Sequence, residues 1–310
     1  MPLDTQHFAQ HNLLPKKMSN KIWDIARENS VVPSLTTQEP VIIGDNIIPT
    51  IEEKPRASMI GEGQRKRSSD LRFGSETLFR GKAVVLTEVS LETTLANPVE
   101  TLRIIQESFG SALATQIDLA ILHNRDALTG EQISQDANCI ADTTQRVVLS
   151  EDVNRVKKDI NAASALVASH SLVPNGVALD PAMIARMVEA ENPQTGAELY
   201  PNLNIGATNA GLVNGLRSAV GDSVSGRTYD DSEDSGIRGV VGRWDAVRWG
   251  KTATISMKKI EYGDPTGNGD LQARNYVAFM SEILFGWRVL DVNKAFAAIE
   301  TGAEAPDTTE

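Results

Sequence analysis

The stretch Ala57–Leu95 constrains this chain more than any other, because it reads as extended yet carries too few apolar residues to stand alone. It opens polar and glycine-punctuated, with the basic knot Gln64-Arg65-Lys66-Arg67 followed by Ser68-Ser69-Asp70. An alternating run follows, in which Leu71, Phe73 and, after a turn at Gly74-Ser75, Leu78 are the apolar teeth. The stretch then runs through the continuous apolar segment Ala83-Val84-Val85-Leu86 to Glu88-Val89-Ser90. Alternation bounded by Gly and Ser predicts a strand, and the uninterrupted run a buried one. The pair predicts a long two-stranded excursion. A hairpin so poor in apolar residues is marginal in water, so a neighbouring subunit is the economical cover.

The 310 residues suffice for one large or two ordinary domains with an ample core. No apolar run approaches the ~20 residues that span a bilayer, so no membrane role is expected. The N-terminus lacks the charged-then-apolar layout of a signal peptide, which implies synthesis in the cytoplasm. Cys139 is the only cysteine, which excludes disulfide frameworks and multi-thiol metal sites. The histidines are scattered: His7 and His11 stand four apart on a polar arm, and His123 and His170 far from both. Gly221-Asp222-Ser223-Val224-Ser225 fails the nucleophile-elbow pattern, which needs Gly where Ser225 stands. The loop at Asp264 resembles a calcium loop only superficially, and Gly61-Glu62-Gly63 is too short to cradle phosphate. Neither metal nor cofactor is expected.

Residues 1–20 read as an arm without a core, and Lys21–Arg27 as a short amphipathic helix with Ile22, Ile25 and Ala26 inward. Short apolar strands are expected at Glu39–Gly44 and Asn46–Pro49. Asn97 suits an N-cap and Pro98 a first helical position. Leu102, Ile105, Phe109, Leu113, Ile117 and Ala120 then recur at helical spacing, which predicts a helix from Pro98 to His123, ~39 Å long. As an ordinary core helix it would carry Asp118 on its wet side. From about Asp136 to Asp245 the pattern is mixed. Ser150 is expected to cap a helix running to Leu166, Gly176–Leu179 to be a strand, and Asp180-Pro181 to open a helix from Met183 to Ala190. Asp230–Asp234 reads as a solvated acidic loop. Thr252–Ile260 predicts a strand, Gly263–Gly269 a turn-rich loop, and the acidic end Thr301–Glu310 a disordered tail.

Three blocks in order carry a resemblance. The first is Gly61-Glu62-Gly63, Lys66, Ser69-Asp70 and Phe73 with the strand ending at Ser90. The second is Ile117-Asp118-Leu119-Ala120 with Gly130 after it, and the third is Phe285-Gly286-Trp287 with the close Ala295-Phe296. Together they resemble the major capsid proteins of tailed bacteriophages, which share the Hong Kong 97 type capsid fold. The resemblance implies an α+β subunit with an N-terminal arm (1–50) and an extended β-hairpin loop (51–82) that lies across the next subunit. It implies a peripheral domain (83–135 and 246–300) containing a spine helix at 98–123, an inserted axial domain (136–245) and the tail 301–310. It also implies a structural protein, not an enzyme, that self-assembles into pentamers and hexamers of an icosahedral virion head around double-stranded DNA. A net charge of −11 argues against a DNA-gripping face and suits a wall from which packaged DNA slides. The loop motif is reached by residue 61, so a separate scaffolding protein, or none, is expected, with little N-terminal cleavage. A portal and decoration proteins are further implied partners. An encapsulin-type nanocompartment shell is the rival reading within the same fold.

The resemblance makes Glu62, Arg65, Lys66, Arg67, Asp70 and Phe73 inter-subunit contacts. It also implies a crosslink set: Lys66 attacks Asn275 with Glu282 assisting, forming an isopeptide bond. That chemistry needs Lys66 neutral and a base in a dry pocket. In a regular strand the seven-residue step places Asn275 and Glu282 on opposite faces, about 23 Å apart, so the three groups would come from three neighbours. The competing expectation is a solvated tip, where Lys66 makes contacts worth ~0–1 kcal/mol each. Arg67 stands where that family usually has proline.

Overall fold

The computed structural model describes residues 22, 24–26, 28–36, 47–203, 209–227, 234–251 and 256–302. The expectations for the arm 1–20, for the segment 37–46 and for the end of the tail, 303–310, lie outside the described residues. Ile22, Asp24–Ala26 and Glu28–Asn29 are helical, with Ile22 and Ala26 buried. Helix α1 (Val31–Leu35) follows, four of its five residues buried. Strand β1 (Ile47–Glu53) pairs antiparallel with β2 (Arg72–Thr77), Ile51 opposite Phe73 and Thr50 opposite Gly74. The expected turn at Gly74-Ser75 is therefore absent, since both residues lie in register within β2. The chain reverses earlier: Gly63 takes φ 77°, the left-handed region glycine tolerates, and the Gln64 N–H donates to Gly61 O at 3.2 Å. The hairpin partner thus lies upstream at 47–53, not downstream at 83–86.

After the buried Leu78 the chain continues as β3 (Phe79–Ser90), in which Ala83 is buried but Val84 is 49% exposed. The apolar run is therefore one-faced, not wholly buried. Helix α2 (Leu91–Ala96) leads to α3 (Pro98–His123), whose start is fixed as expected: the Asn97 side chain accepts the Glu100 N–H at 3.4 Å. Its inward stripe of Ile105, Phe109, Leu113 and Ile117 joins the main core. Beyond β4 (Arg146–Val148) the helix α4 (Val156–Ser169) is preceded by a 3-10 turn capped by Asp152, not by Ser150. Ser150 instead donates its N–H and its Oγ–H to Asp159, both at 2.9 Å, because a buried helix carboxylate needs those donors more than a frayed end does. Strand β5 (Gly176–Leu179) and α5 (Pro181–Glu189) follow as read, with Asp180 Oδ1 accepting from Ala182 N at 2.8 Å.

Strands β6 (Leu212–Val213), β7 (Leu216–Val220) and β8 (Ile237–Gly242) complete a six-stranded sheet ordered β4-β12-β8-β5-β7-β6, where β12 is Phe296–Glu300. The closing block is therefore divided: its last strand belongs with elements from 136–245. The reason is that Phe296–Ile299 is apolar on both sides and needs cover on both. Phe296 and Ala298 face the main core, whereas Ala297 and Ile299 face a second core built from α4 and α5. The other sheet is formed by β9 (Val247–Lys251), β10 (Ser256–Ile260), β11 (Tyr276–Val289) and β3. Its central strand β11 alternates, burying Val277, Phe279, Ile283, Phe285 and Trp287 under α3 and leaving Leu284 open. Helix α6 (Val292–Ala295) links β11 to β12. Residues 230–233 of the acidic run and 252–255 of the expected strand lie outside the described residues. Asp234, expected in a merely solvated loop, pairs with Arg238 at 2.6 Å and Arg227 at 2.8 Å, and these hold its carboxyl well below the usual carboxylate range.

Candidate assembly interface

The β1–β2 hairpin has two unlike faces. Cross-strand partners share a face, so Ile47, Pro49 and Ile51 stand with Phe73, Ser75 and Thr77. This face is bare: Ile51 is 53% and Phe73 67% exposed, although aromatic and β-branched partners of this kind normally sit over a core. The opposite face, with Ile48, Thr50 and Glu76, is half-buried, and Arg288 Nη2 clamps Glu76 Oε2 at 2.7 Å. One side of the hairpin is thus tied to its own subunit and the other is left for something else.

Between the strands, residues 54–71 are exposed throughout. Among their internal ties are the Gly61–Gln64 turn and the bond from Arg56 N–H to Ser69 Oγ at 2.9 Å. Glu62, Arg65, Lys66, Arg67 and Asp70 all stand in solvent here. The segment carries five basic side chains (Lys54, Arg56, Arg65, Lys66, Arg67) against two acidic ones (Glu62, Asp70), on a chain whose net charge is −11. A basic finger on an acidic body is electrostatically matched to another copy of that body.

Asn275 lies just outside β11 at φ 57°, exposed, its carbonyl accepting the Leu91 N–H at 2.8 Å. Glu282 sits mid-strand, opposite Val84 and Ser256, about 20 Å along from Tyr276 at the start of β11 at the usual strand rise. Its carboxylate meets Lys82 Nζ at 2.6 Å and Lys258 Nζ at 3.8 Å, and its pKa is lowered, chiefly by the Lys82 hydrogen bond. Asn275 and Glu282 are not brought together within one subunit, as their spacing implies.

A model of the phage capsid family matches residues 10–301. The chain belongs to the phage capsid family. Solved structures agree. One from Mycobacterium phage Ogopogo superposes with a TM-score of 0.75 at 31% identity, covering 97% of this chain and 100% of that one. One from Gordonia phage Cozz gives 0.73 at 38% identity, covering 94% and 92%. At 11% identity, the capsid of an empty GTA particle gives 0.56 over 88% and 90%, a likeness of fold. No curated protein matches. The architecture is the Hong Kong 97 type capsid fold, and the protein is a structural, major capsid protein of the phage head.

Two features of this capsid subunit escaped the sequence reading. Asp118, which an ordinary core helix would carry on its wet side, is 1% exposed and accepts four hydrogen bonds. Burial pushes its carboxyl up to about 6, against those bonds. A signal was available: Ala114 and Leu122, one helical turn to either side, are both apolar and place Asp118 on the inner stripe. The second feature fastens the turn-rich loop after Gly263. Glu88 accepts from Arg274 Nη2 at 2.9 and 3.0 Å and from the Thr266 hydroxyl, and the Arg274 guanidinium lies 5.1 Å from the centre of the Tyr276 ring. Among the described residues no helix is long and apolar enough to cross a membrane, and no three His, Cys, Asp or Glu side chains gather as a metal site.

Proposed function

We propose that each subunit lays the bare face of its hairpin on a neighbour, and that repeated contacts of this kind close pentamers and hexamers into an icosahedral head around double-stranded DNA. The observation that carries this reading is the Ile47–Ile51–Phe73 face, which stands exposed among the described residues. The basic 54–71 segment adds attraction to the acidic surface of the next copy. Head-to-tail contacts that close under rotation give rings, and the 136–245 region then forms the axial domain around their centres. DNA is enclosed without a sequence-reading grip, beside separate scaffolding, portal and decoration proteins, and the subunit is made in the host cytoplasm. Negative-stain microscopy of the purified protein, expressed with its neighbouring genes, is the test. Large angular shells are expected. Small shells filled with foreign protein would instead assign a nanocompartment, and monomers under all conditions would sink assembly through this face.

A covalent version of the shell joins Lys66 Nζ to the side-chain carbonyl carbon of Asn275. Glu282 takes a proton from the attacking amine, and ammonia leaves. Lys66 and Asn275 are exposed and open to neighbours, whereas Glu282 must first be released from Lys82 by docking. Boiled shells decide this on a denaturing gel. A ladder abolished by Lys66→Arg means a crosslinked head, and a single monomer band means a non-covalent one.

A further inference from the structure

Three segments far apart in the chain meet at one carboxylate. Asp118 Oδ1 accepts from Ser30 Oγ at 2.6 Å and from the Val32 N–H at 3.0 Å. Oδ2 accepts from the Val31 N–H at 2.6 Å and from Ser223 Oγ at 3.3 Å. All four partners are neutral. A carboxylate offers about four lone-pair sites, so its capacity is used in full. Ser30 holds the N-cap position of α1 yet makes no side-chain cap bond to that helix. Its hydroxyl turns to Asp118 instead, which caps the first turn of α1 from 87 residues away. A five-residue helix has no standing of its own in water. On the other side Ser223 opens onto the 3-10 turn Asp222–Ser225, where His123 Nε2–H donates to Val224 O at 2.9 Å. The two outer segments also touch directly: a Cβ on Gly221 would lie 2.5 Å from Val31 Cγ2.

We propose that Asp118 is a latch coupling the N-terminal helix α1 to the Asp222–Ser225 turn through α3, so that loosening either one loosens the other. The capsid subunit would thereby carry a displacement of its N-terminal segment into the Asp222–Ser225 turn. This goes beyond the assembly reading and does not depend on it, because the latch lies within one subunit. Its physical basis is that removing one donor loosens the hold on the shared carboxylate, and removing the acceptor strands two backbone N–H groups in a buried site.

Coupling of this kind is reciprocal, which sets the test. Hydrogen exchange is followed by mass spectrometry on the unassembled full chain, comparing wild type with Ser30→Ala, Ser223→Ala and Asp118→Asn. Ser223→Ala should speed exchange of the Val31 and Val32 amides about fivefold, and Ser30→Ala should do the same to the Val224 and Gly226 amides, the scale set by one lost hydrogen bond. Asp118→Asn should speed both more strongly. Amides of β11 are the control and should not move. Acceleration confined to the substituted segment, no acceleration in either, or an equal rise across β11 would each overturn the latch. Should Asp118→Asn fail to fold, the two hydroxyl variants alone decide, since each removes only one atom.

Discussion

The hairpin 47–77 and the helix α3 spend their apolar residues in opposite directions. In α3, Phe109 is 2% exposed and Leu113 and Ile117 are fully buried, so the stripe stabilises the subunit that carries it. In the hairpin the Ile51–Phe73 pair points to solvent, and the side that meets its own body is held by an ion pair. Apolar area in the helix therefore sets folding, and under the proposed assembly the apolar area in the hairpin sets association. An exposed patch of this kind marks an interaction surface. The two regions also differ in where their charge lies: the 54–71 segment carries it in solvent, whereas α3 buries Asp118 and half-buries His123.

The sharpest way to break the contrast is to remove one ring from each region. Phe109→Ala should cost the subunit ~3–5 kcal/mol, the usual cost of truncating a core Phe, read as the midpoint of denaturant unfolding. Phe73→Asp should leave that midpoint within ~0.5 kcal/mol of wild type, as expected for an exposed site. It should abolish shells in sedimentation and microscopy, since a charge buried at each contact costs about 2–4 kcal/mol, the scale of an interface hot spot. If Phe73→Asp unfolds the subunit, or assembles normally, the division of labour is wrong.

The helix was legible because its signals are local. Asn97, Pro98 and a 3–4 residue apolar spacing gave Pro98–His123 to the residue, and Asp180-Pro181 likewise marked α5. The hairpin was legible as extended chain but not in its pairing. Alternation says that a strand has a buried side and not which strand lies beside it, and Gly74 looks like a turn until it is found opposite Thr50. The division of the closing block was hidden for the same reason, since pairing β12 with β8 joins residues about 60 apart. Of the proposed assembly surface, Glu62 to Phe73 could be placed in solvent from sequence. Glu282 could not be placed, because Lys82 and Lys258 reach it only through the register of three strands.

Buried charge offers a second test. Burial is the main cause that lowers His123 to about 4, with Arg125 adding repulsion, and the Val224 carbonyl opposes the shift. Neutral His123 thus contributes stability that is full above the unfolded pKa near 6.5 and is lost as pH falls toward 4. Asp118, raised to about 6, has the opposite sign: its native state holds the proton more tightly, so stability falls as pH rises from about 4 to 6. Between pH 4 and 6 the two slopes, each up to ~1.4 kcal/mol per pH unit, nearly cancel. His123→Gln keeps a donor for Val224 O and removes one slope. Its unfolding free energy should therefore gain on wild type by roughly 2–3 kcal/mol between pH 6.5 and 4. A difference that stays flat across that range would mean that His123 is not held neutral.

The smallest effect concerns one methyl group. Gly110 lies mid-helix, where Ala would ordinarily gain ~1 kcal/mol in propensity. Here a Cβ would stand 2.7 Å from Ile25 Cγ2 and 3.0 Å from the Ile22 carbonyl oxygen. The side-chain tip can shift, but the backbone oxygen cannot without moving the whole N-terminal helix, and such overpacking costs ~1–3 kcal/mol. The packing term wins, so Gly110→Ala should destabilise the subunit by about 1 kcal/mol and speed exchange around Ile22–Ala26. Ser75→Ala, which changes a side chain on the bare face of the hairpin, should leave the isolated subunit unchanged. If Gly110→Ala is instead stabilising, the inward face of α3 has slack. The contrast with the hairpin would then rest on the large side chains alone and not on close approach of backbones.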